Sequence, residues 1–306
     1  MTGHPFDNLD PRGKPPATAR ARAIESWIQQ AEKKVGIGAG RLGWIVASSV
    51  VISALQRSLF GDGEPRFLIK GGAYLELRLG LRARATKDVD TLFRGSFEEL
   101  IDSLDAALSQ PFEGITFRRT NPMQINVPGK VNKPRRFDVI LQIRGRTWRR
   151  ITVEVSADEG QAGSHVERIK APSLKYFGLS VPPTTAGIAL DYQVAQKLHA
   201  CTDPHTTEVP NDRVRDVIDL RLLKSAFYDR GDLSSVAEAC RDLFSVREQE
   251  AIQTKEVIPR LWPPTVVAYP HWQVDFETYA REVGLRMTLI EGVDELNSWI
   301  IKIDKS

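Results

Sequence analysis

Phe67-Leu68-Ile69-Lys70-Gly71-Gly72-Ala73-Tyr74-Leu75, followed by Arg84-Ala85-Thr86-Lys87-Asp88-Val89-Asp90, decides the reading of this chain. Phe67 to Ile69 is a short apolar run ending on two glycines, which predicts a buried strand meeting a tight turn. Ala73 to Leu79 reads as a helix that Gly80 stops. Val89 and Leu92-Phe93 predict a second strand, closed at Arg94-Gly95. Paired glycines between a strand and a helix let the backbone approach a triphosphate closely. The helix start then offers free N–H groups and partial positive charge. Residues two apart on a strand share a side, so Asp88 and Asp90 aim both carboxylates at one point. Two carboxylates plus triphosphate oxygens suit Mg2+, which takes few protein ligands and keeps phosphates or waters. A third carboxylate on a neighbouring strand would help hold a second Mg2+ or take the proton of an attacking hydroxyl. Glu154, in Ile151-Thr152-Val153-Glu154-Val155, fits that role, and Asp138 is the second choice.

Around this centre, residues 1–16 read as a disordered tail, polar and rich in Pro and Gly. Helical patterns follow over Ala17 to Val35 and Gly40 to Leu59. Ser96, with Glu99 three residues on, predicts a capping box for a helix from Phe97 to Ala107. Phe137 to Ile143 and Arg150 to Ser156 predict a hairpin about Gly145. Pro172, Pro182 and Pro183 mark a linker, after which the pattern turns helical. Asp191 to Ala200, Arg213 to Phe227, Leu233 to Phe244 and Phe276 to Val283 are the helices expected there. The expected division is a lobe over 17–184, α+β with its leading helices, and an all-helical lobe over 185–306.

The 306 residues are 42% apolar and 26% charged, the balance of a globular chain with a real core. No stretch is apolar over the roughly 20 residues a bilayer span needs, and two cysteines make no disulfide framework. These features predict a cytoplasmic protein with no membrane partner. The net charge of +3 is small, but cations cluster over Lys130 to Arg150 and over Arg66 to Lys87. Such basic runs are either solvated faces or surfaces for phosphate-rich partners. Trp148, among the arginines, is either a packing residue or a platform for a base. The five histidines stand at no zinc-ligand spacing with a cysteine.

Each part of the central motif is ordinary alone: a glycine pair is usually a turn, and an Asp-x-Asp usually a solvated edge. Their order, with a later strand carboxylate, is that of the polymerase-β-like nucleotidyltransferases. More narrowly, Lys70-Gly71-Gly72-Ala73-Tyr74-Leu75 followed by Arg82-Ala83-Arg84-Ala85-Thr86-Lys87-Asp88-Val89-Asp90 resembles the AbiEii/MenT family of nucleotidyltransferase toxins. Ala73 stands where that family often has Thr or Ser, which removes one hydroxyl contact to phosphate. Gln196-Lys197-Leu198 and Arg215-Asp216-Val217-Ile218-Asp219 match the family's helical Lys and its Arg-Asp helix. The alternatives for both are ordinary solvated helix faces.

The resemblance implies an α+β fold: a polymerase-β-like core with a mixed sheet, plus a helical C-terminal lobe. It implies an NTP substrate held by Lys70, Gly71, Gly72 and Lys197, and one or two Mg2+ on Asp88, Asp90 and Glu154. Lys197 and Asp216 complete its catalytic set. It also implies an RNA acceptor, foremost the 3′ end of tRNA, and a cognate antitoxin from a neighbouring gene. In the family a Ser or Thr at the position of Thr86 can be phosphorylated by the antitoxin. Transfer to a protein or small molecule, and a non-catalytic nucleotide- or RNA-binding module, are the alternatives.

Overall fold

The structure, a computed structural model, describes residues 4–127, 129–204, 206, 210–229, 231–255, 258 and 260–306. Two helices lead. α1 (Arg20–Val35) is amphipathic and buries Ile24, Ile28 and Ala31. α2 (Ala39–Leu55) is apolar on every side, so it is enclosed, with α1 on one flank and the sheet on another.

The sheet is built from β1 (Phe67–Lys70), β2 (Asp88–Phe93), β3 (Ile115–Arg119), β4 (Met123–Gln124), β5 (Arg135–Ile143), β6 (Arg146–Ala157), β7 (Val166–Lys170) and β8 (Thr184–Ile188). The order is β3-β5-β6-β2-β1-β8-β7, with β4 paired to the end of β5. β2 runs parallel to β6 and β1 parallel to β8, while the other pairs are antiparallel, so the sheet is mixed. α3 (Gly71–Leu79) leaves directly from β1, and α4 (Leu100–Ser109) packs near β3. The second half is helical: α5 (Leu190–Thr202), α6 (Val214–Leu223), α7 (Ser234–Gln253), α8 (Gln273–Glu282) and α9 (Leu289–Asp304). There α6 packs against α5, α8 and α9, around buried Phe276, Trp272 and Trp299. Among the described residues no helix is long and apolar enough to cross a membrane.

Several expectations change. Of the tail, residues 1–3 lie outside the described residues, and the rest is anchored. Phe6 is fully buried against Phe177 at 4.8 Å, Asp7 pairs with Lys170 at 2.6 Å, and Arg12 donates to the Tyr176 hydroxyl at 2.6 Å. The Ser96–Glu99 capping box does not form: the helix starts at Leu100, and Glu99 turns to Arg66 instead. The linker region contains β8, a core strand, so the sheet runs to Ile188, past the expected boundary at 184. Helix α9 carries the capping box the sequence reading overlooked, between Thr288 and Glu291.

Candidate active site

Strand register assembles the site. Lys70 on β1 pairs with Asp90 on β2, Asp90 with Glu154 on β6, and Glu154 with Arg136 on β5. These four side chains form one cross-strand row, cation–carboxylate–carboxylate–cation. Asp88, two residues before Asp90, starts a second row through Thr152 to Asp138 on the same face. Asp138 accepts from Thr152 at 2.9 Å and from Arg150 at 2.9 Å, so its carboxylate is spoken for.

The glycines serve close approach. Gly71 has φ +62°, and a Cβ there would stand 2.2 Å from Asp90 Oδ2. A Cβ on Gly72 would stand 2.6 Å from Thr86 Oγ1. The paired glycines thus press the start of α3 onto the carboxylate and the hydroxyl. The Gly71 amide is already taken, donating to Gln193 Oε1 at 3.0 Å. Gln193, buried on α5, pins the strand-to-helix turn from the other lobe. The Gly72 amide donates to Asp90 Oδ2 at 3.4 Å.

Carboxylate crowding shows in the acidities. Burial, and then the nearby Glu154, push Asp90 up to about 6, and the same two causes raise Asp88. Lys70 and Lys197 oppose the shift at Asp90 without cancelling it. Such a pocket of under-compensated anionic oxygens fits a divalent cation, whose charge would reverse both shifts. No three His, Cys, Asp or Glu side chains among the described residues are already gathered at metal-ligand spacing. The reason is visible at Glu154, whose Oε1 accepts from Arg136 Nε at 2.7 Å. Asp88 and Asp90 therefore form a two-carboxylate site, which suits a cation that completes its shell with phosphates and water.

Lys197 is buried on α5 and donates to Asp216 at 2.7 Å and to Asp219 at 2.7 Å. Arg84, from the segment before β2, closes a bidentate pair on Asp219 at 3.0 and 2.9 Å. Burial alone would discharge Lys197 and Asp216. Their mutual attraction outweighs it, raising Lys197 and lowering Asp216. This balanced quartet lies behind Asp90 and joins the sheet to the helical half. Thr86 is half-buried, with Oγ1 donating to the Asp88 carbonyl at 3.3 Å.

The structure thus draws together Lys70, Gly71, Gly72, Thr86, Asp88, Asp90 and Glu154, with Lys197 and Asp216 just behind. Sequence reading missed Gln193, Arg84 and Arg136. Arg84 lies within the quoted motif, whereas Gln193 and Arg136 gain meaning only from contacts and register. The arginine-rich run is largely engaged: Arg149 grips Glu25, Trp148 donates to Glu25 at 2.7 Å, and Lys130 pairs with Glu159. Trp148 is therefore a packing residue. Among the described residues, Arg144 and Arg146 at the hairpin turn are the exposed cations of that run's second half whose side chains make no hydrogen bond or ion pair.

A glycine turn facing an Asp-x-Asp strand, with a carboxylate in register beside it, is the arrangement expected of a nucleotidyltransferase. The family described as "Nucleotidyl transferase AbiEii toxin, Type IV TA system" matches residues 53–295, and this chain belongs to it. The protein is a nucleotidyltransferase toxin of a type IV toxin–antitoxin system, and so has an antitoxin partner. Such enzymes use an NTP and a divalent metal. Among solved structures it is similar to MenT4, a nucleotidyltransferase toxin from Mycobacterium tuberculosis, at 16% identity and TM-score 0.49, covering 95% of this chain and 98% of that one. It is also similar to an antigenic nucleotidyltransferase-like protein from Paracoccidioides brasiliensis, at 15% identity and TM-score 0.35, covering 69% and 93%. Comparison with curated proteins finds no match.

Proposed function

We propose that this toxin transfers a nucleoside monophosphate from an NTP to an RNA, with the 3′ end of tRNA as the acceptor and Mg2+ as the metal. The observation that carries it is the single row Lys70–Asp90–Glu154–Arg136 beside the Gly71-Gly72 turn. Lys70 holds the triphosphate together with the Gly72 amide, once that amide turns from Asp90. The third ammonium proton of Lys197, not used by Asp216 or Asp219, is left for one phosphate oxygen. Asp88 and Asp90 would hold the metal, which would supply neutralisation of charge on the phosphates and the leaving pyrophosphate. Glu154, released from Arg136, takes the proton of the attacking hydroxyl. The hydroxyl oxygen bonds to the α-phosphorus in line, and the bond to pyrophosphate breaks. Asp216 acts by fixing Lys197. Positioning and charge supply most of the acceleration in such a transfer.

Incubation with each labelled NTP, Mg2+ and total tRNA, followed on a denaturing gel, tests this. Label in the tRNA band, lost on removing the 3′ end, is expected. Label only in protein or small molecules overturns the acceptor.

The same geometry supports a regulatory role for Thr86. A phosphate there would bring about −1.5 to −2 charges against the Gly72 turn, where the triphosphate binds, and beside both aspartates. Phosphorylation of Thr86 by the antitoxin would therefore silence the site. Intact mass and peptide mapping after co-expression with the neighbouring gene product check this. An unmodified Thr86 in a fully neutralised toxin refutes it.

A further inference from the structure

The catalytic row opens onto a bare sheet face. Strand alternation buries Phe137, Val139 and Leu141 of β5 and Ile151, Val153 and Val155 of β6 on the side where α2 and α4 pack. The opposite side of the same strands presents Arg136 and Asp138 on β5, and Arg150, Thr152 and Glu154 on β6. Arg118 on β3 and Arg150 both stand opposite Ile140. The cationic side chains there are open to solvent: Arg136 is 50% exposed and Arg150 61%. Arg118 is exposed, and its side chain has no hydrogen bond or ion pair among the described residues. Their carboxylate neighbours are Asp138, already bonded to Thr152 and Arg150, and catalytic Glu154. At the far end of the face stands Asp88, while Arg118 has no carboxylate partner and Arg150 shares Asp138 with Thr152; such arginine forks suit phosphates.

In-line transfer fixes which substrate uses this face. The attacking oxygen and the leaving pyrophosphate must lie on opposite sides of the α-phosphorus. The pyrophosphate end is anchored at Lys70 and the start of α3, at one end of the row. The acceptor must then arrive from the other end, past Glu154, which is the β6–β5–β3 face. Arg150 lies four residues along β6 from Glu154, about 13 Å away, and Arg118 two strands further over, about 10 Å more.

We propose that this face is the acceptor-RNA platform, with the reacting 3′ end at Glu154 and upstream phosphates on Arg150 and Arg118. The inference rests on the RNA-acceptor reading above. It concerns an interaction surface that lies apart from the β5–β6 hairpin turn.

The test is the Arg118→Gln/Arg150→Gln double variant of the full chain, with tRNA as the probe. The expected result is a KM for tRNA raised at least tenfold, kcat within about twofold of wild type, and unchanged NTP affinity by calorimetry. The logarithmic salt slope of tRNA binding should flatten by about 1.4, for two lost phosphate contacts at about 0.7 each on a single strand. An unchanged melting temperature would show that the fold is intact. An unchanged KM and salt slope, in a chain whose wild type does label tRNA, overturns the platform and leaves the RNA reading standing. A fall in kcat alone also overturns it, because the arginines would then act at the chemistry. Lost binding of the purified antitoxin with an unchanged KM for tRNA reassigns the face to an acidic protein. A wild-type chain that labels no RNA removes the RNA reading itself, and the platform with it.

Discussion

Replacing Gly71 by Ala should abolish most of the transfer while leaving the chain folded. Two effects add. The residue sits at φ +62°, where an L side chain costs about 1–2 kcal/mol. The new Cβ would also stand 2.2 Å from Asp90 Oδ2, 2.8 Å from its Cγ and 2.9 Å from its Cβ. Rotating the carboxylate relieves the first contact but not the last, so the turn and β2 must separate. A displacement of about 1 Å at a reacting centre costs on the order of 10²-fold in rate. The expectation is therefore a rate loss of about 10²-fold or more, with a melting temperature only a few degrees lower. Gly40→Ala is the control: nothing lies within 4 Å of its Cβ and its φ is ordinary, so activity and stability should hold. Single-turnover transfer and thermal melts of both variants decide the matter. A Gly71→Ala protein within about threefold of wild-type rate would show that the turn is not held against Asp90 during catalysis.

Asp90→Asn and Asp88→Asn should each lose transfer. Because Asp90 is raised to about 6, its ionised form weakens the metal-free fold at neutral pH. That stabilising contribution is full below the unfolded value near 4 and is lost as pH rises through about 6. Metal-free Asp90→Asn should thus melt higher than wild type at pH 7 and not at pH 4, and metal affinity should fall below pH 6; an equal melting temperature at pH 7 counts against the crowding. Lys197→Ala strands the buried Asp216 carboxylate, while Asp219 keeps Arg84, and should destabilise by about 3–5 kcal/mol, so activity and melting temperature fall together; a melting curve that does not move refutes the quartet. Neutralising Arg144 and Arg146 should weaken tRNA binding and flatten its salt dependence without affecting stability. Arg149→Ala should instead loosen α1 through lost Glu25, with RNA affinity unchanged; the reverse pattern in melts and binding curves would exchange their roles.

The Gly-Gly turn and the Asp-x-Asp strand were legible because their chemistry is written over a few consecutive residues. Glu154 was legible because apolar alternation fixes its strand, while its place beside Asp90 needed the register. β8 was hidden: Gly187 breaks its apolar pattern, yet a side chain there would strike the Ile69 carbonyl at 2.9 Å. Gln193 was invisible because its role lies in a bond to Gly71, 122 residues away in sequence. Charge counting overvalued the arginine-rich run, since sequence alone does not tell Arg149, committed to Glu25, from Arg144, exposed at the turn.

The segment that leads into Asp88 is moored on both sides. Arg41 holds the Ala83 carbonyl at 2.7 Å and Trp44 the Lys87 carbonyl at 3.2 Å, both from α2. From the helical half, Asp219 holds Arg84, and Glu282 holds the Ala85 amide at 2.7 Å. The two halves therefore cannot swing apart like jaws without breaking a buried ion pair or dragging Asp88 along. Seating of the C-terminal helices and alignment of the aspartates are thus mechanically linked, and whatever loosens α6 or α8 is felt at Asp88.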